Sequence, residues 1–385
     1  GGEDVPFLPI YSEDYDPSVY RLARVYAREV PSAYIHNMAQ LFPYERYYAE
    51  HSCWYGKLNS NIDKNGDCRE DSKSGDNYNL CLSARGNSAE YDIMVKKAAQ
   101  RIENSVIVEK LIGGKRNVVC ISREDGIDAC CCDACFNLWY KYGKTSVAAE
   151  ILFFNDVAEE VERWMNSEDG ASYKTDLQFV SLAYGQTECA PVVKNAASGK
   201  YEGISGLTAR SNVGVLLAMI SLADYSQELT APTNAAAREN LNGWRDFTDG
   251  KVYYFTYDCN FGGYIYPYDS FKFYTRSTFK SLAENGNAYF YINAQYNQSG
   301  VMTAWGGLKQ YLEAKLLWDC NSDDKALTEK YFNAVYDAYA PEMKSLFNEM
   351  HAVADAVYRS KGIGSVKYSL GPMLYSRAYD SRYEA

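Results

Sequence analysis

Val118-Val119-Cys120-Ile121-Ser122-Arg123-Glu124-Asp125-Gly126 is the stretch on which the fold turns. Four apolar, mostly β-branched residues make a short run suited to a fully buried strand. Two acids and a glycine then end it. A strand buried on both faces belongs to a parallel sheet covered by helices, and in such sheets substrates collect at the carboxyl ends of the strands. Glu124 and Asp125 therefore stand where chemistry is expected.

Working outward, similar runs recur at Ser32–Met38, Leu177–Tyr184, Asn212–Ile220, Val252–Tyr257 and Ala288–Ala294, which makes six strand candidates. Between them lie amphipathic stretches of helical period. One starts at Ser88, a candidate cap, with Tyr91, Val95, Ala98 and Ile102 on one face. A second repeats as Ile151, Phe154, Val157, Val161 and Trp164. Alternation of this kind predicts an α/β protein of the (β/α)8 TIM-barrel type. Eight strands are needed for closure, so the first two are expected before Gly1 or inside the polar opening segment. Helices at Thr303–Trp318, Ser322–Tyr339 and Pro341–Tyr358 follow the last strand, with Ser322-Asp323-Asp324 as an N-terminal signal. The expected division is a barrel over 1–302, then a terminal barrel helix and helical extension over 303–385. The polar stretch Tyr55–Asn79 reads as a long loop on the active-site face.

Composition removes several classes of function. With 47% hydrophobic residues the chain can bury a large core, which argues against disorder, and a formal charge of −11 leaves no basic surface for nucleic acid. No run is long and apolar enough for a membrane span. The 36 tyrosines suit clefts that grip sugars, although Tyr can equally replace Phe as a packing residue. Nucleotide-binding glycine loops, His-Glu-x-x-His and Gly-x-Ser-x-Gly are all missing, and the reading calls for no cofactor.

Adjacent carboxylates oppose one another's ionisation, so Glu124 and Asp125 can divide into a proton donor and a charged partner. The plainer alternative is that they cap the turn. Polar groups at other strand ends, His36, Asn37, Tyr184, Tyr257, Asp258 and Asn293 with Gln295, are candidates to bind substrate. Trp305, like Trp54 and Trp244, is a candidate to stack on a pyranose face. Cys130-x-Cys132-x-x-Cys135 lies just beyond the acids. Three thiolates at that spacing can hold Zn²⁺ with a fourth ligand from Cys81 or Cys189; disulfide bonding is the alternative. Either way the cluster reads as a structural clamp on the Asp125 loop and not as a catalytic metal centre. The total of 11 cysteines is odd, so they do not all pair within the chain.

Taken in order, His36-Asn37, Leu41-Phe42-Pro43, Ser122-x-x-Asp125-Gly126 with Cys130-x-Cys132-x-x-Cys135, Phe154-Asn155-x-Val157-Ala158, Leu182-Ala183-Tyr184, Tyr257-Asp258-x-Asn260-Phe261 and Ala314-Lys315-Leu316-Leu317-Trp318 resemble the family known as domain of unknown function 4838, which overlaps glycoside hydrolase family 163. The similarity runs from about Tyr34 to about Tyr358. The resemblance implies a bacterial enzyme, extracellular or on the cell surface, whose signal segment would lie upstream of this sequence. It would have a (β/α)8 barrel and endo-β-N-acetylglucosaminidase activity on N-glycans, by a retaining, substrate-assisted mechanism. Asp125 would then protonate the glycosidic oxygen, Glu124 would orient the 2-acetamido group, and Tyr257 would hydrogen-bond its oxygen. In the related hexosaminidase barrels the pair runs Asp-Glu and not Glu-Asp, which leaves the two roles exchangeable. A non-catalytic glycan-binding barrel, and a uronic-acid glycosidase using Arg123 or Arg210 to hold a sugar carboxylate, are the alternative readings.

Overall fold

A computed structural model describes residues 7–8, 36–57, 79–111, 113, 117–125, 129–220, 222–223, 225, 227–258, 273–286, 290–294 and 305–360. The chain divides into two compact units, Gly1–Leu216 with Asp246–Lys251, and Leu217–Arg245 with Val252–Ala385. The protein is mixed α/β with a parallel sheet.

In the first unit the sheet order follows the chain: β1 (Phe7–Leu8), β2 (Val118–Ile121), β3 (Gln178–Ala183) and β6 (Val213–Ala218). Phe7 and Leu8 pair in parallel with Val118 and Val119, and Val118 through Ile121 pair in parallel with Gln178 through Ser181. Every residue of β2 and β6 is buried, as strands covered on both faces require. A small antiparallel pair, β4 (Val192–Lys194) and β5 (Tyr201–Gly203), lies outside this sheet.

Short helices α1 (Met38–Leu41) and α2 (Tyr44–Tyr47) open the unit; α3 (Ser88–Leu111), α4 (Asp133–Lys141) and α5 (Val147–Met165) follow. α3 and α5 pack on each other, and α5 packs on β3. The predicted faces are the buried ones: Val95, Ala98 and Ile102 on α3; Ile151, Phe154, Val157 and Val161 on α5. Each large aliphatic or aromatic side chain so buried contributes roughly 1.5–3 kcal/mol. The α3 start is capped by Asn87 rather than by Ser88, because Asn87 Oδ1 accepts from the N–H groups of Ala89 and Glu90 at 3.1 and 3.3 Å. Asn and Ser cap equally well, and the one placed outside the first turn has the reach.

The second unit holds β7 (Val252–Asp258) and β8 (Phe290–Ala294), parallel with Tyr257 opposite Asn293, together with helix α7 (Arg276–Asn285). Helix α6 (Ala235–Phe247) begins in this unit. Its final helices are α8 (Gly306–Trp318), α9 (Asp324–Tyr336) and α10 (Ala340–Ser360). Asp323 caps α9 by accepting from Lys325 and Ala326 N–H, as Ser322-Asp323-Asp324 predicted. No helix among the described residues is long and apolar enough to cross a membrane.

Two strand expectations change. Over Ser32–Met38, the described end of the segment is not a strand: His36 has φ 55° and Met38 starts α1. Instead Phe7–Leu8, in the polar opening segment, supplies the neighbour of β2. The long loop expected over Tyr55–Asn79 lies outside the described residues between 58 and 78.

Candidate functional site

Beyond Val119, among the described residues, Asn37 lies along the edge of β2. Its side-chain Nδ2 donates to Cys120 O at 2.8 Å, and its Oδ1 accepts from Ser122 N–H at 2.9 Å. These are the two bonds that a residue of a neighbouring parallel strand opposite Ile121 would make. Ser122 O in turn accepts from the N–H groups of Asn37 and Met38, and Ser122 Oγ accepts from His36 N–H at 2.6 Å. Asn37 is 2% exposed. It therefore serves the strand, and both ends of its amide are already engaged with the backbone.

Past Ser122 the chain leaves the sheet. His36 Nδ1 donates to Arg123 O at 2.7 Å, which leaves Nε2 as the ring's acceptor. The His36 ring meets the Tyr184 ring edge-on at 6.0 Å. Tyr184 follows β3 directly, and its hydroxyl donates to Asp125 Oδ1 at 3.1 Å. Burial, and then the charge of Asp125, push the Tyr184 phenol up to about 12, so it keeps its proton and remains a donor. Asp125 is exposed and Glu124 half-buried. The Glu124 N–H donates to Asn79 Oδ1 at 2.9 Å. The site thus gathers His36, Asp125 and Tyr184 at the carboxyl ends of adjacent parallel strands, with Glu124 next to Asp125 in the chain.

Underneath, Arg123 Nε pairs with Glu150 Oε1 at 3.0 Å. Ser181 Oγ donates to the other Glu150 oxygen. Arg123 also reaches Gln186 Oε1 and Thr187 Oγ1. Burial pushes the Glu150 carboxyl up, opposed by Arg123 and then Ser181. Gln186 Oε1 further accepts from Ala129 N–H, so one side chain ties both ends of the turn that carries Asp125. Asn79, Glu150, Gln186 and Thr187 were not foreseen. Glu150 had a signal, a lone acid inside the apolar run Val147-Ala148-Ala149-Glu150-Ile151; the others had none.

Other predicted residues fall elsewhere. Trp305 is a correction: it is 4% exposed and packs against Phe332, Tyr336 and Phe347. It is a core residue of the helical end, as Trp54 and Trp244, both 0% exposed, are of their own surroundings. Large indoles bury more apolar area in a core than on a sugar, and packing won in all three. Tyr257 and Asp258 end β7 and Asn293 lies on β8, with nothing described of their side chains; Gln295 lies outside the described residues.

Cys130, Cys132 and Cys135 are joined by Cys81, not by the exposed Cys189. The four sulfurs lie within 4.8 Å of one another and none is in a disulfide. Hydrogen bonds from Cys130, then Cys135 and Cys81, push the Cys132 thiol down. Cys131, between them in sequence, is disulfide-bonded.

An α/β protein with acids at the ends of parallel strands and four clustered cysteines in the chain just beyond them and at Cys81 is the class that fold and site define. The match to the family described as Domain of unknown function (DUF4838) runs over residues 10–348, and the chain belongs to that family. No curated protein and no solved structure matches it.

Proposed function

We propose that the chain is a glycoside hydrolase acting on N-acetylglucosamine-containing glycans by a retaining, substrate-assisted mechanism. The observation that carries this reading is the Tyr184 hydroxyl donating to Asp125 Oδ1 across the ends of β2 and β3. Held by the Tyr184 hydroxyl, Asp125 is placed to accept the N–H of the 2-acetamido group and orient it. Half-buried Glu124 is the proton donor. The acetamido oxygen attacks the anomeric carbon as the glycosidic oxygen leaves with the proton of Glu124. Water then opens the ring intermediate, giving its proton back to Glu124. This assignment exchanges the roles that residue order alone suggested. It also restores the chemical identities of the related hexosaminidase pair, Asp as orienter and Glu as acid.

The uronic-acid alternative has little to draw on. Arg123 is committed to Glu150, and Arg210 to Glu159 and Glu162. A disulfide at Cys131 suits an oxidising compartment, and so an extracellular or cell-surface enzyme.

The test uses the full chain, N-glycans and N-acetylglucosaminides with activated aryl leaving groups. Glu124→Gln should lose N-glycan cleavage but keep much of its activity on the activated substrate, which needs no proton. Asp125→Asn should lose both. Glycan binding without sugar release by the unmutated chain would replace this proposal with a non-catalytic receptor.

A further inference from the structure

We infer that Cys81, Cys130, Cys132 and Cys135 form a structural Zn²⁺ site that fixes the acidic rim in place. A zinc ion bound to four thiolates at about 2.3 Å requires sulfurs at the corners of a tetrahedron, with edges of about 3.8 Å. Cys81 Sγ lies 3.7 Å from Cys132 Sγ and 3.8 Å from Cys135 Sγ. Those separations are near twice a disulfide bond and match the tetrahedral edge.

The surroundings suit a metal thiolate. Arg85 N–H donates to Cys81 Sγ at 3.0 Å and Lys57 N–H to Cys130 Sγ at 3.4 Å, placing backbone donors where bound thiolates carry negative charge. The first requires a tight turn: Ala84, Arg85 and Gly86 all have positive φ, and a Cβ on Gly86 would press against Ala134. Cys81, Cys130 and Cys135 are at most 3% exposed and Cys132 is half-buried, so no coordination position opens to substrate. Such a closed, all-sulfur set is structural rather than catalytic. Its chemistry also accounts for an oddity of the chain. Four unpaired thiols in mutual reach flank a disulfide-bonded Cys131, and in an oxidising compartment a bound metal is what keeps them from pairing.

Geometry connects this site to the rim. Asn79, whose Oδ1 holds the Glu124 N–H, is two residues from Cys81; its carbonyl accepts from Gly56 N–H at 2.8 Å. A Cβ on Gly56 would lie 2.8 Å from that carbonyl and 3.2 Å from Cys130 Cβ, so the strands of backbone here are in close contact. On the other side, Cys130 follows Ala129, which Gln186 ties to Arg123. Zinc would thus clamp both supports of the Glu124-Asp125 turn.

The experiment measures the metal content of the full chain, purified without chelator, by inductively coupled plasma mass spectrometry. One equivalent of zinc is expected. After exchange, Co²⁺ should give thiolate-to-cobalt charge transfer and the strong visible bands of a tetrahedral site. Cys132→Ser, at the most accessible ligand, should lose the metal, whereas Cys189→Ser should keep it. A chain without metal whose cobalt form shows no thiolate band would overturn the site, as would peptide mapping that finds the four cysteines joined as disulfides. Iron in place of zinc would overturn the choice of ion. Should Cys132→Ser not fold, metal content and the cobalt spectrum of the unmutated chain decide alone. Neither depends on hydrolysis, so the zinc site and the glycosidase proposal stand or fall separately.

Discussion

Tyr184 is the residue on which the candidate site turns, because its hydroxyl joins the loop after one strand to the acid after its neighbour. A hydrogen bond to a charged acceptor contributes about 1.5–3 kcal/mol, and as a transition-state term that is roughly a ten- to hundredfold effect. Tyr184→Phe keeps the ring beside His36 and removes only the donor. It should lower kcat/KM by about that factor while thermal stability stays within about 1 kcal/mol of the parent. Steady-state rates unchanged by the substitution would remove Asp125 from the chemistry. Trp305 teaches the reverse lesson: an aromatic in a loop-like position of the sequence turned out to be packed at the core of α8, α9 and α10.

Elements were legible where the sequence carries a short apolar or β-branched run. Val118–Ile121, Gln178–Ala183, Val213–Ala218, Val252–Asp258 and Phe290–Ala294 lie where such runs predicted strands. The exception, Ser32–Met38, failed for a physical reason that no pattern carries: its last residues serve β2 through a side chain and not through a ladder. Asn37 has no hydrophobic period to betray it, and β1 is too short to register. Among the described residues, the Asn37 amide is what meets the edge of β2 at Cys120 O and Ser122 N–H. Asn37→Ala leaves the Ser122 N–H and Cys120 carbonyl without that partner, in positions 0% and 1% exposed. Unsatisfied buried groups cost about 1–3 kcal/mol each, so a loss of about 2–5 kcal/mol in denaturant-unfolding free energy is expected. A loss below about 1 kcal/mol would mean that water replaces the amide and that β2 needs no such edge.

At the scale of the whole molecule, the alternation of buried strands with amphipathic helices announced an α/β protein with a parallel sheet. Sequence named Cys81 or Cys189 as a partner of the cysteine cluster, and Cys81 is the one that joins it, but the other supports of the acidic turn come from positions far apart in the chain that no pattern marks: Asn79, Ala129 and Gln186. Cys130, Cys132 and Cys135 are local, but Cys81 must be brought across a loop of roughly 50 residues, a closure whose entropy the unfolded chain does not supply. Metal binding at such a site is tied to folding: the native chain presents four converged sulfurs, and the unfolded chain presents them apart. Zinc then stabilises only the folded state, so unfolding free energy must rise with free zinc. Each tenfold increase should add about 1.4 kcal/mol once the site is saturated, less whatever zinc the unfolded cysteines capture. Denaturation of the full chain in a series of zinc buffers reads that slope directly, and a midpoint that does not move across the series would show that the four cysteines hold their places without an ion.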